Sequence, residues 1–221
     1  MSFTLNSFVG ITDLVLGNPL SGIFMLSGRE EIDAGFVELE KALRESFSGV
    51  RFGTISPTGI NEISAIRQFN IRELPSMLLF TCRSLTPFKV ISGYNPSEVY
   101  SALEELTKIQ DLTVPTRNEK FKILTNFKSL MVFMKGIKEE PYCRFSKGLV
   151  ALFDSIHVKN YGHYNIFENE ETRQGLKEYH NWPTFPQVCI NGEFVGGLDV
   201  LNEMHSNGEL VNEIPKDSFQ A

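Results

Sequence analysis

Pro141-Tyr142-Cys143-Arg144-Phe145-Ser146, read together with Trp182-Pro183-Thr184-Phe185-Pro186 further along, decides the fold of the C-terminal half of this chain. The first stretch follows the apolar run Leu130-Met131-Val132-Phe133-Met134 across a polar loop. It places a single cysteine where strand and loop give way to a helix. Unpaired N–H groups at a helix start, and the helix dipole, favour negative charge on Cys143. The thiolate is the form of cysteine that acts as nucleophile and metal ligand. A lone cysteine is more often a small buried hydrophobe. Here the polar loop before it, with Lys135 and Arg144 close in sequence, weighs for a functional thiol. The second stretch is a proline turn that leads into an apolar strand.

Composition bounds what such a site serves. The chain has 221 residues, room for one large domain or two small ones. Hydrophobic residues make up 42% and charged residues 22%, as in ordinary globular proteins. A net charge of -6 argues against nucleic-acid partners, which call for a basic face. No apolar run approaches the ~20 residues that span a bilayer, so no membrane partner is expected. Met1-Ser2-Phe3-Thr4-Leu5-Asn6 carries neither the basic start nor the apolar core of a leader segment. Cys82, Cys143 and Cys189 are an odd and sparse set, unlike a disulfide framework, which points to a reducing cytosolic or nuclear compartment.

Working outward, the chain reads as one kind of unit used twice. Gly22-Ile23-Phe24-Met25-Leu26 predicts a buried strand, and Ile32, Phe36, Leu39, Leu43 and Phe47 fall at helical spacing after it. Strands at 50–55, 74–80 and 88–92 alternate with helices at 61–69 and 96–108. In the second half, strands are expected at 130–134, 164–167, 185–190 and 193–195, with helices at 143–156, 170–180 and from about Asp199 onward. Asn191-Gly192 is a strong hairpin signal between the last two strands. This alternation predicts α/β architecture. The expected domains are 1–110 and 119–221, joined by a polar, proline-bearing linker at 111–118.

Four motifs of the second half carry a resemblance. Met134-Lys135-Gly136, Pro141 to Ser146, Trp182-Pro183-Thr184-Phe185-Pro186-Gln187, and Asn191-Gly192-Glu193-Phe194-Val195-Gly196-Gly197-Leu198-Asp199 resemble the monothiol glutaredoxins. Seven residues separate Lys135 from Cys143, as in that class, and Ser146 stands where a dithiol enzyme has its second cysteine. The first half resembles a thioredoxin-like domain more weakly, through element order and Pro75. The layout is similar to the multidomain monothiol glutaredoxins. It implies two thioredoxin-like domains, each a central mixed β-sheet flanked by helices, in a cytoplasmic and nuclear protein that handles iron–sulfur clusters.

The resemblance also implies roles. Cys143 is the nucleophile and metal ligand, while Lys135 holds a glutathione carboxylate and stabilises the thiolate. Arg173 grips the glycyl carboxylate as a charged fork. The main chain at Phe185, beside a cis Pro186, pairs with glutathione as a short extra strand. The amides of Leu198 and Asp199, after the close-approach pair Gly196-Gly197, hold the γ-glutamyl carboxylate. Taken alone, Lys135 is a solvated charge at a strand end, Arg173 a surface arginine among glutamates, and Asp199 an N-cap. Trp182 is expected to be packing, Cys82 and Cys189 core thiols, and the four histidines, lacking metal-ligand spacing, have no assigned role. The first domain carries Ser27-Gly28-Arg29-Glu30 where a thioredoxin has Cys-x-x-Cys, so no thiol stands at that position for disulfide exchange, and Pro75 is structural.

One departure stands out: Arg144 replaces the glycine of the family's Cys-Gly-Phe-Ser. It either crowds the approach of a second protomer or helps to hold the glutathione carboxylate and the thiolate. The leading function is a [2Fe-2S] cluster carrier. Four thiolates complete such a centre, so one cysteine per chain requires a homodimer bridged by the cluster, with two glutathione thiolates. BolA-like proteins and iron–sulfur client proteins are the implied partners. The alternative is a glutathione-dependent oxidoreductase using Cys143 alone. A third reading, a redox-silent adaptor, predicts that Cys143 is dispensable.

Overall fold

A computed structural model describes residues 3–110 and 112–220. Asp111 of the expected linker, and Met1 and Ser2 of the N-terminal reading, lie outside them. The chain divides into two compact units, Met1–Thr116 and Arg117–Ala221, each with its own sheet and core.

In the first unit, strands β1 (Phe3–Thr4), β2 (Leu20–Met25), β3 (Val50–Ile55), β4 (Ser76–Thr81) and β5 (Lys89–Ser92) form a mixed sheet in the order β1-β3-β2-β4-β5. β3 runs parallel to β1 and β2, whereas β4 is antiparallel to β2 and β5. Helices α2 (Glu30–Ser46) and α4 (Pro96–Thr107) bury Phe36, Leu39, Leu43, Val99, Leu103 and Leu106 on one face. Ile32, although at helical spacing, is exposed because it lies in the first turn, before α2 meets the sheet. Helices α1 (Phe8–Gly17) and α3 (Ile60–Gln68) pack together, and Phe8 meets Phe69 at 5.8 Å. The corner after β2 is closed by Asp33. Its carboxylate accepts from the Ser27 amide and hydroxyl and from the Gly28 amide, each at 2.9 Å. Leu74–Pro75 is cis.

The boundary between units differs from the expected linker. Ile109 and Leu112 pack on the first core, and Thr113 accepts from the Cys82 thiol at 3.2 Å. Helix α5 (Arg117–Thr125) then starts inside the stretch expected as linker. Its opening residues are polar because they face solvent, while Phe121 and Leu124 are buried.

The second unit orders its strands β7-β6-β8-β9, from β6 (Leu130–Met134), β7 (Gly162–Asn165), β8 (Gln187–Ile190) and β9 (Glu193–Gly196). β6 is parallel to β7 and antiparallel to β8, so this sheet is also mixed. Alternation along β6 sends Leu130, Val132 and Met134 to a core with Leu149, Leu152 and Phe153 of α6 (Arg144–Ser155) and Leu201 of α8 (Leu198–Ser206). On the other face, α7 (Glu170–Tyr179) packs on α5. Asn191 and Gly192 form the β8–β9 turn with φ of 50° and 82°, as the hairpin signal predicts. A short helix, α9 (Leu210–Glu213), follows. No helix among the described residues is long and apolar enough to cross a membrane.

Candidate functional site: a thiol beside a cationic cleft

Cys143 is the N-cap of α6, in an extended conformation that turns its sulfur back over the first turn. The Ser146 amide donates to Sγ at 3.4 Å, and the Ser146 hydroxyl lies 3.3 Å from it. Ser146 is fully buried and its oxygen also accepts from the Lys135 amide at 3.2 Å. The Cys143 thiol donates to that hydroxyl, and once the sulfur is ionised the hydroxyl hydrogen can turn to the thiolate. Partial burial raises the Cys143 pKa, but the Ser146 hydroxyl, the Ser146 and Phe145 amides and the Lys135 charge outweigh it and bring it below that of an ordinary thiol. The other thiols go the opposite way. Burial raises Cys82, and burial with Glu193 nearby pushes Cys189 up to about 12. All three cysteines are unbridged.

The loop before Cys143 is tightly set. Gly136 bridges to Pro141, and the Tyr142 amide donates to Lys135 O at 2.9 Å. Gly136 has φ +91°, and a Cβ there would lie 2.3 Å from Glu140 O, so only glycine fits. Buried Asn165, at the end of β7, accepts from the Gly136 amide at 2.9 Å and the Phe167 amide at 3.2 Å. One side chain thus ties the thiol loop to the segment leading into α7.

A cleft of about 280 Å³ is lined by Lys135, Phe145, Arg173, Lys177, Trp182 to Pro186, Gly197, Leu198 and Asp199. Cys143 does not line it but adjoins it through Lys135 and Phe145. All five residues expected to bind a cofactor therefore meet around one cavity. Phe167, half-exposed, carries the Lys135 ammonium at 5.8 Å and the Arg173 guanidinium at 5.6 Å from its ring centroid, and its ring stacks with Tyr142. Arg173 also pairs with Glu170 at 3.0 Å, so its surface-arginine character is real; its Nε, however, is buried without an acceptor among the described residues. Phe185 is buried and its peptide to Pro186 is cis, while the β8 ladder begins only at Gln187. The Phe185 main chain thus stays outside the sheet.

Other expectations need correction. The N-cap of α8 is Gly197, two residues before the expected Asp199; Asp199 lies in the first turn, exposed at the cleft. A Cβ on Gly197 would sit 3.2 Å from Pro186 O, so glycine lets the helix start approach the proline turn. Trp182 is more than packing: it lines the cleft, and its Nε1 is a second buried donor without an acceptor among the described residues. Lys177 was missed; it lies one helical turn beyond Arg173, a spacing that shares a face. Arg144 turns its guanidinium over the Phe145 ring at 4.6 Å and is not part of the cleft. His180 is not idle either, since its Nδ1 lies 2.7 Å from Gln187 Oε1.

A depressed thiol at a helix start, next to a cationic cleft and a proline turn, defines a glutaredoxin domain, and the glutaredoxin family profile matches residues 130–195. Human Glutaredoxin-3 is 46% identical over 123 residues, 56% of this chain and 36% of that protein. Monothiol glutaredoxin-4 of Schizosaccharomyces pombe is 50% identical over 98 residues, 44% of this chain and 40% of its own length. Glutaredoxin 3 of Danio rerio matches 172 residues at 46% identity, 75% of this chain and 51% of that protein, a span longer than the second unit alone. The second unit thus carries a glutaredoxin domain, and the chain is similar to the multidomain monothiol glutaredoxins over part of their length. It spans about a third to a half of the length of these relatives. A solved buckwheat glutaredoxin–glutathione complex is 27% identical, covering 45% of this chain and 94% of that one, with a TM-score of 0.39.

Proposed function

We propose that the second unit binds glutathione in the cleft and uses Cys143 to hold a [2Fe-2S] cluster shared between two copies of the chain. The observation that carries this reading is the chemistry of the cleft. Glutathione is a thiol flanked by two carboxylates. Lys135, Arg173 and Lys177 offer cations, the buried Arg173 Nε and Trp182 Nε1 lack acceptors, and the first-turn amides of α8 face the same space. The donor set fits that ligand. When bound, glutathione supplies a second thiol beside Cys143. Lys135 and Arg173 would hold and orient it, and Phe185 would exclude water from its main chain.

For the cluster, this chain alone is one ligand short of a pair. Cys82 and Cys189 are buried, and among the described residues no group of three or more Cys, His, Asp or Glu side chains can hold a metal. Two copies, each contributing Cys143 and a glutathione thiolate, complete the four. The cluster is cargo in this reading. Transfer to client proteins, BolA-like partners and work in the cytoplasm and nucleus belong to the same proposal and rest on the family resemblance.

The depressed Cys143 thiol also favours a second reading, glutathione-dependent reduction. The thiolate attacks the glutathionyl sulfur of a mixed disulfide, and the client thiolate leaves and takes up a proton. A second glutathione thiolate then attacks the Cys143–glutathione disulfide, regenerating Cys143 and releasing oxidised glutathione.

Anaerobic reconstitution with iron, sulfide and glutathione, read by visible absorption and size-exclusion chromatography, separates the two. A coloured dimer that Cys143→Ser abolishes supports the carrier. A colourless monomer that still reduces glutathionylated substrates would sink it and leave the reductase.

A further inference from the structure

The two walls of the cleft are joined by a hydrogen-bond chain that ends on a buried thiol. The Gln187 side-chain nitrogen lies 3.0 Å from Trp182 O and 3.2 Å from Thr184 O. Two amide hydrogens meet two carbonyls, so the amide cannot be reversed without facing oxygen to oxygen. Gln187 Oε1 must then face His180 Nδ1, at 2.7 Å. An oxygen only accepts, so Nδ1 carries the hydrogen and Nε2 keeps the lone pair. That lone pair faces Cys189 Sγ at 3.7 Å, a fully buried thiol that serves as the donor. The imidazole plane is held by stacking on Phe194, with centroids 4.7 Å apart and planes at 13°.

Both side chains in the middle of this hydrogen-bond chain connect to walls of the cleft. His180 caps α7, which presents Arg173 and Lys177, and the Trp182 amide donates to Lys177 O at 2.9 Å. Gln187 grips the carbonyls on either side of Pro183, in the turn that presents Trp182 and Phe185. Neither residue hydrogen-bonds Cys143 or Ser146, whose contacts form a separate set.

Resting on the glutathione reading, we propose that Gln187 and His180 are positioning residues for the cleft. Gln187 clamps the proline turn, and His180, as the Nδ1–H tautomer, orients the Gln187 amide and registers the turn against α7. They set ligand affinity without setting the reactivity of Cys143.

Two measurements on the full chain test this. Two-bond proton–nitrogen correlation spectra of the 15N-labelled protein read the His180 tautomer; the Nδ1–H pattern is expected, and an Nε2–H pattern overturns the proposal. Titration calorimetry with reduced glutathione then compares wild type, Gln187→Leu, His180→Phe and His180→Asn, alongside the pH profile of Cys143 alkylation. Gln187→Leu and His180→Phe are expected to weaken binding about tenfold or more with an unchanged alkylation profile. His180→Asn, whose amide can still donate to Gln187 Oε1, is expected within about threefold of wild type. Equal affinity of wild type and Gln187→Leu overturns the positioning role but leaves glutathione binding standing. Wild type that binds no glutathione removes both readings. A shifted alkylation profile in the weakened variants, or His180→Asn as weak as His180→Phe, overturns the proposal in favour of general loosening. Should Gln187→Leu not fold, the tautomer and the His180 pair decide.

Discussion

Ser146 marks the place where a second cysteine is missing, yet it does more than leave a gap. Its buried hydroxyl takes hydrogen bonds from the Lys135 amide and the Cys143 thiol, and it becomes a donor to the sulfur once the thiolate forms. Ser146→Ala removes that donor, so the pH midpoint of Cys143 alkylation should move upward and the rate near neutrality should fall severalfold. Stopped alkylation followed by mass spectrometry reads both. Arg173 invites a second test. Arg173→Leu strips the cleft of a guanidinium whose Nε is buried without an acceptor, and glutathione affinity should fall by roughly 10- to 100-fold, as for a lost charge-assisted bond. Arg173→Lys should recover only part of it, since an ammonium cannot reproduce the planar fork. Calorimetry that finds the three proteins equal would remove Arg173 from the site.

Among the elements, the loop between β6 and α6 shows how local backbone rules set the site. Gly136→Ala puts a Cβ against Glu140 O in a left-handed conformation, and a loss of about 2 kcal/mol or more is expected in urea unfolding of the second unit. How legible an element was in the sequence follows from how it is packed. β6 was readable because it is buried on both faces, and α6 because polar and apolar positions separate by side. α1 was not, since Phe8, Val9, Ile11, Leu14, Val15 and Leu16 are buried nearly all round and leave no alternation to read. α5 hid for the opposite reason: Arg117 and Asn118 read as linker, Glu119 and Lys120 continue the polar run, and only Phe121 and Leu124 betray a buried side. Within the site, residues held by motif were legible. Lys177 looks like any surface lysine. The Gln187–His180 pairing depends on a tautomer and a turn that spacing does not encode.

Across the whole molecule, each unit has a separate core, which bears on how it unfolds. A fragment of residues 117–221 is expected to melt cooperatively by itself. One beginning at 126 should not, because it loses Phe121 and Leu124 from beneath α7; circular dichroism on the pair decides. His163 gives the second unit a pH dependence of known sign. Burial pushes its pKa down to about 4, with Glu139 opposing and Lys138 assisting, so the fold prefers the neutral ring. The resulting stability is complete above about pH 6.5 and is lost as pH falls toward 4, roughly 3 kcal/mol in all. Urea midpoints across that window should drop for wild type and flatten for His163→Gln; parallel curves would exclude the ring.

The uneven burial of the three cysteines turns the chain into its own opening gauge. Cys82 and Cys189 are both fully buried, one in each unit, while Cys143 is reachable at the surface. A maleimide added to the native protein should attach once, at a single place, without any engineered mutation. Every later adduct must wait for a core to breathe, and the peptide that carries it names the unit that opened.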